Sequence, residues 1–382
     1  MKHLAFLSAS MIVTLVTGAA TGGTALASTF VYAPTAKGIY AYESSSAGKL
    51  TPIKGSPFTQ TTGIVVGGNG SYFLSLDPAY LHAYKVSSTG AIGEQVSEID
   101  TQAYSDAECG SAFAAKLDHT GQYVYVLLNG STINDHIGCA ALQTYEIAKA
   151  TGVLTFKGAT NLGANNYPGV PTIAGNDIFS YTVSGVPSAC ELLLEPFKRE
   201  SSGVIQPTVV ERKDPTPEPN VWDGYLLSGF FTNDPTDHMA WALQPTVGDA
   251  CEAGKYQLAS YTVGSQGNLT STNTWENMPT LAGQVYDILM SPAGKYLAAA
   301  TGTGVQVFHF NGASPITPFT GIIGTSGYII HLGWDVWNHL YAWNVSNKLH
   351  IYAVTSSGVK EVSGSPYVIP VIVNQSIVVI SH

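Results

Sequence analysis

The sequence predicts an all-β fold: a seven-bladed β-propeller of four-stranded antiparallel blades, closed by a C-terminal strand that joins the N-terminal blade. Three observations carry this. The stretch FVYAPTAKGIYAYESSSAGKLTPIKGSPF, Phe30 to Phe58, recurs near the end as LYAWNVSNKLHIYAVTSSGVKEVSGSPY, Leu340 to Tyr367. The core of that pattern, two short strand-forming runs and a Gly-containing turn, can be followed seven times. Charged residues make up only 11% of the chain, and Gly, Ser, Thr, Tyr and Val abound. That composition favours strands and tight turns over amphipathic helices.

In chain order, the second strand of each blade is read at Phe30, Tyr72, Tyr123, Ile178, Met239, Tyr296 and Leu340. Successive starts lie about 42 to 61 residues apart, the spacing of four-stranded propeller blades. The third strand follows at Gly38, Leu81, Leu142, Cys190, Tyr256, Val305 and Leu349. A further short run precedes six of the second strands, as in TGIVVGGNG, SAFAAKLDHTG and YDILMSPAG. The first blade lacks one. An unpartnered apolar run, Ser376 to Ile380, has the length and character to supply it and to hide the strand edges at the seam. Runs such as YVYVLL, YLAAAT and FAAKL are apolar throughout, as expected of strands covered on both faces. The charged, proline-rich segment between Pro196 and Trp222 reads as an outer hairpin or loop within a single propeller domain, residues 28–382.

Met1 to Ala27 has a short basic start, an apolar core and small residues ending in Ala25-Leu26-Ala27. This is the pattern of a secretory signal cleaved after Ala27, and the expected location is secreted or periplasmic. No later run has the length of a membrane span. The formal charge of −10 leaves no basic stripe for nucleic acid. Four cysteines, Cys109, Cys139, Cys190 and Cys251, lack paired CxxC spacing, so disulfides are expected and a metal is not.

The strand and Y-x-Y/F pattern, the "TG-x-L-T" turn, the GSPF/GSPY ends and Ser291 to Leu297 (SPAGKYL) together resemble the lactonase-like seven-bladed propellers. That group includes bacterial 6-phosphogluconolactonases and YVTN-type surface repeats. The resemblance spans the mature chain and implies the fold. It implies activity less specifically, because the shared motifs are strands and turns. Within this register the cysteines fall near one face of the ring, and the expected pairs are Cys109 with Cys139 and Cys190 with Cys251.

Hydrolysis of a lactone needs an activated water and a donor for the oxyanion, so groups converging on the axis matter. Aligning YDILMSPAGKYL with IHLGWDVWNHLY puts Asp287 and His331 at corresponding positions of neighbouring blades, where other blades carry Gly63, Ala114, Gly169 and, approximately, Phe230. They are the candidate catalytic residues, as a base and its orienter. Asp135 and His136, in the loop NGSTINDHIGC, and Glu108 beside Cys109 are candidates for ligand binding. His119, His238 and His339 are read as turn or surface residues. Arg199 and Arg212 are assigned to the irregular outer segment, and no lysine or arginine cluster is placed at the axis, which speaks against a phosphosugar. GxSxG, HExxH, P-loop and GxGxxG motifs are missing. Trp334, Trp337 and Trp343 are assigned chiefly to packing. The expected function is an exported binding or interaction scaffold using loops on one face, for a protein or saccharide partner, with lactone hydrolysis in the axial channel as the alternative. No cofactor is expected, and a monomer is.

Overall fold

Each second strand is covered on both faces, and its sequence shows why. Val124 to Leu128 and Leu297 to Ala300 are fully buried, residue after residue, as befits strands sandwiched between neighbouring blades. The computed structural model describes residues 28–59, 63–104, 110–118, 120–129, 132–133, 136–137, 140–162, 172–174, 178–186, 191–208, 224–247, 252–324, 327–370 and 377–381. Its strands form seven antiparallel blades, each ordered from the axis outward. Blade 1 comprises Val378–Ser381, Thr29–Thr35, Gly38–Ser44 and Leu50–Pro52. Blade 2 comprises Ile64–Gly68, Tyr72–Leu76, Tyr80–Val86 and Ile92–Asp100, and blade 3 Ser111–Leu117, Tyr123–Asn129, Ala140–Ile147 and Leu154–Asn161. Blade 4 comprises Thr172–Ala174, Phe179–Val186, Glu191–Arg199 and Ile205–Pro207, and blade 5 Gly224–Asn233, His238–Val247, Gln257–Val263 and Leu269–Thr270. Blade 6 comprises Val285–Met290, Tyr296–Thr301, Gly304–Asn311 and Ser314–Pro318, and blade 7 Ile329–Trp334, His339–Asn344, Lys348–Thr355 and Gly358–Glu361. The short 3-10 turn Gln102–Tyr104 is the one helical element among the described residues, none of which forms a helix long and apolar enough to cross a membrane.

The ring closes as the sequence predicts. Val378–Ser381 pairs antiparallel with the first blade, Phe30 opposite Ile380 and Tyr32 opposite Val378. Thr29 and Ser381 hydroxyls meet at 2.9 Å. Ile380 is buried among Phe30, Phe73 and Tyr84, so the closing strand also packs on blade 2. The paired GSP motifs do the same work in blades 1 and 7. The Ser56 hydroxyl accepts the Ala41 amide proton, and the Ser365 hydroxyl accepts that of Ile351, both at 2.9 Å, pinning the outer edge to the third strand.

A second repeat joins one blade to the next. In six of the seven blades the turn after the third strand carries a glycine at positive φ, and the first ring of the preceding blade's second strand lies against it; Gly358 of blade 7 has nothing within 4 Å. Phe30 abuts Gly90, Tyr72 abuts Gly152, Tyr123 abuts Gly203 and Phe179 abuts Gly267, each so close that an added Cβ would sit 2.1–2.6 Å from the ring. Tyrosine hydroxyls two residues along reinforce three of these contacts: Tyr32 donates to Gly90 O at 2.8 Å, Tyr125 to Gly203 O at 3.4 Å and Tyr181 to Gly267 O at 2.7 Å. His238 and His339 occupy the same position in blades 5 and 7, against Gly312 and Gly48. Reading them as turn or surface residues is therefore corrected, since the imidazole stands in for the aromatic ring. His339 is buried, with Nδ1 2.8 Å from Asp335 Oδ2, and the Tyr341 hydroxyl lies 3.0 Å from the same oxygen. Arg199 is likewise part of a joint between blades: it ends the third strand of blade 4 and reaches Asp118 of blade 3 at 3.4 Å.

Two outcomes test this architecture. Replacing Gly152 (φ +72°) by Ala adds both a strained backbone and a clash with Tyr72, and is expected to cost about 2–4 kcal/mol in urea unfolding, beyond the ~1 kcal/mol of an ordinary Gly-to-Ala change. Ile380→Ala is expected to cost about 2–4 kcal/mol, and removal of residues 376–382 to leave no cooperative unfolding transition by circular dichroism.

Candidate active site in the axial channel

An innermost strand has a neighbour on one edge only, so its other edge, with its free amides and carbonyls, faces the axis. This relaxes the need for apolar side chains. In Ser111–Leu117, the run FAAKL differs from the fully covered strand expected: Phe113 is 46% exposed and Lys116 projects into the channel. Lys116 itself is solvent-exposed.

Five innermost strands break register with their partners, at Val65/Gly67, Ala112/Ala114, Leu227/Phe231, Val285/Asp287 and Ile329/His331. Such bulges re-aim side chains. After the break Asp287 lies opposite Ala300, His331 opposite Trp343 and Ala114 opposite Leu127, the correspondence expected from sequence. In blade 2 the break falls later, at Val65/Gly67, and in blade 5 it is wide, which is why Gly63 and Phe230 align only loosely. Gly169 lies outside the described residues.

Asp287 Oδ2 accepts the amide proton of Leu332 at 3.0 Å, an edge amide of blade 7. Burial pushes the Asp287 carboxyl up to about 7, against the lowering effect of the Leu332 amide and the Lys116 ammonium. Burial lowers the Lys116 ammonium, and the Asp287 charge raises it in return. Blade 3 and blade 6 thus bring an acid and a base close enough across the axis for each to shift the other. His331 stands apart. Burial alone drives its imidazole down to about 4, and no hydrogen bond joins it to Asp287. Asp287 is instead held by the Leu332 amide. Lys116 is a single lysine in this neighbourhood, a residue that sequence reasoning did not single out. Its signal, one charge inside an otherwise apolar first strand, was present in the sequence.

Beyond Lys116, where the innermost strands end, a cavity of about 240 Å³ is lined by Lys116, Asp118, Thr232, Asn233 and Leu289, among others. Polar groups there are already engaged: Asp234 Oδ1 accepts amides of Thr236 and His238 and so closes a tight turn. Trp334 and Trp343 are buried, and Trp334 Nε1 donates to Leu289 O at 3.0 Å, so both serve packing.

The loop candidates fare differently. His136 lies on a two-stranded hairpin, Thr132–Ile133 paired with His136–Ile137. Glu108, Asp135 and all four cysteines, with their expected pairings, lie outside the described residues, as do His119 and Arg212. Among the described residues no cluster of three His, Cys, Asp or Glu is placed to hold a metal ion.

Seven four-stranded blades closed by a shared first blade define the class: a seven-bladed β-propeller. The fold is similar to that of the periplasmic gluconolactonase PpgL of Pseudomonas aeruginosa (TM-score 0.55, 12% identity, 89% of this chain and 97% of that one). It is similar also to a candidate 6-phosphogluconolactonase of Bacteroides uniformis (TM-score 0.54, 14% identity, 93% and 99%) and to a functionally unknown protein of Desulfotomaculum acetoxidans (TM-score 0.56, 14% identity, 88% and 95%). No protein-family model matches the chain, and no curated protein matches it in sequence.

A depressed imidazole pKa means the folded state binds fewer protons than the unfolded chain, where histidine titrates near 6.5. Stability from His331 is therefore complete above pH 6.5 and is lost as pH falls toward 4. His331→Gln is expected to flatten the fall in thermal midpoint between pH 6.5 and 4 relative to wild type, by an amount worth about 1–3 kcal/mol. Parallel curves for the two proteins would contradict it.

Proposed function

We propose that the protein hydrolyses a nonphosphorylated sugar lactone in its axial channel, with Asp287 as general base and Lys116 as the stabiliser of the oxyanion. The observation that supports this is the Asp287 carboxyl itself, raised to about 7 by burial, held by the Leu332 amide and within electrostatic reach of the Lys116 ammonium. A general base works best when its pKa lies near the working pH. Asp287 takes a proton from water as the water oxygen bonds to the lactone carbonyl carbon. The negative charge that develops on the carbonyl oxygen is met by the Lys116 ammonium in a site screened by protein. When the ring C–O bond breaks, the departing oxygen receives the proton from Asp287, and an open-chain hydroxy acid leaves.

A single lysine paired with a carboxylate offers little for a phosphate, so the nonphosphorylated substrate is the better match. The secretory pattern of Met1 to Ala27 agrees, because phosphorylated sugars are intracellular metabolites. A second reading, a noncatalytic channel that binds a saccharide, is favoured by the Leu332 amide, which already occupies one oxygen of Asp287. Of the loop candidates for a binding scaffold, Glu108 and Asp135 lie outside the described residues and His136 lies on the short hairpin.

Hydrolysis of D-glucono-1,5-lactone, corrected for its spontaneous reaction, decides between the two. Under the hydrolase reading kcat/KM rises with pH through about 7, as the Asp287 carboxyl ionises. Asp287→Asn is expected to lower it by about 10²–10⁴-fold and Lys116→Met by about 10²–10³-fold, with both variants folded by circular dichroism. Turnover that survives in Asp287→Asn excludes Asp287 as the base.

A further inference from the structure

The opposite mouth of the channel, where the innermost strands begin, carries two exposed aromatic rings. Tyr286 is the extra residue of the bulge between Val285 and Asp287, and Tyr328 immediately precedes Ile329–Trp334. Their rings are nearly parallel, 24° apart, with centroids 5.9 Å from one another. Tyr286 is 37% exposed and Tyr328 53%, while eleven tyrosines of the described residues are buried. Both rest over the turn between the second and third strands of blade 6. An added Cβ on Gly302 would lie 3.6 Å from the Tyr328 ring and 3.7 Å from that of Tyr286, in van der Waals contact with both. The Val345 amide donates to Tyr328 O at 3.0 Å, fixing the backbone that carries the second ring. The turn is itself pinned by Thr303, whose hydroxyl donates to Ala282 O at 2.6 Å.

We propose that Tyr286 and Tyr328 form a sugar-ring platform at the channel mouth, receiving the C–H face of a pyranose next to Asp287. The commitment to a sugar rests on the channel chemistry proposed above. A pyranose with equatorial hydroxyls has an apolar C–H face for the rings and a polar rim for groups such as the exposed Gln284, while a ring-shaped lactone differs from it by one carbonyl. The bulge between Val285 and Asp287 holds Tyr286 as its extra residue next to Asp287, so one irregularity bears both the reacting group and the platform. Preformed rings cost little conformational entropy when a ligand binds. The buried Trp334 and Trp343 leave this role to the tyrosines.

Saturation-transfer NMR with methyl β-D-glucopyranoside, which carries no lactone, tests the platform separately from hydrolysis. Wild type is expected to saturate the axial C–H protons of the sugar. Tyr328→Ala and Tyr286→Ala should each weaken binding at least about fivefold. Tyr328→Trp should retain binding, and Val345→Ala, on the neighbouring turn, should match wild type. No saturation in wild type, or alanine variants that bind as wild type does, overturns the proposal. Self-association in sedimentation that Tyr328→Ala abolishes, with no sugar signal, overturns it in favour of a protein contact. Sugar binding that depends on the tyrosines in a protein without lactonase activity upholds the platform and removes the hydrolase reading. Lactone turnover that needs Asp287 but is indifferent to Tyr328→Ala does the reverse.

Discussion

The ring depends on a contact repeated around it: an aromatic ring of one blade lying on a positive-φ glycine of the next. Blades are radial sheets that touch face to face, and van der Waals faces alone leave them free to slide. A ring seated where no Cβ can stand, often with a tyrosine hydroxyl bonded to the same turn, fixes both the spacing and the angle of successive blades. The first four joints use Phe or Tyr; blades 5 and 7 use His238 and His339 in the same seat. Histidine there brings a polar edge into the joint, and the chain answers with Asp234 and Asp335, each bonded to its imidazole Nδ1. Burial without such a partner would be costly.

The architecture was legible because propeller blades repeat and repeats amplify weak signals. Each second strand observed begins within one residue of its expected start, from Thr29 to His339. The closing strand was legible for a different reason: the first blade lacked an inner strand, and an apolar run at the far end had nothing else to pair with. The correspondence of Asp287 with His331 also held, because it follows from strand register. What register cannot give is the partner across the axis. Lys116 and Asp287 come from blades separated by two others, and only the closed ring brings their charges together. Nor does sequence show that Tyr286 is the exposed extra residue of a bulge, since a tyrosine next to an apolar strand reads as core. His238 and His339 were misread by the opposite error, with polarity taken as a sign of the surface.

The axis is where the fold tolerates chemistry. The second and third strands of a blade have neighbours on both edges, and most of their side chains are used up in packing. The innermost edge keeps spare amides that face the axis, and Asp287 takes one of them from Leu332. A carboxylate that bonds to a spare edge amide is held without a dedicated side-chain partner, which leaves its second oxygen for other work. The same edge gives Lys116 room to extend.

Closure by Val378–Ser381 also bears on how the molecule is made. Thr29 and Ser381 are hydroxyl partners 352 positions apart, and closing a loop of that size in a disordered chain costs about 5 kcal/mol. Stacking the blades in sequence spreads that cost, because each joint shortens the gap left for the last one. Until the final strand arrives, the axis-side edge of Thr29 to Tyr32 is an unpaired template, open to any other extended segment. A chain emerging from a ribosome or a membrane pore therefore carries its most adhesive edge first and its cover last. Holding that edge away from other chains until synthesis ends is a task the folded propeller cannot perform for itself.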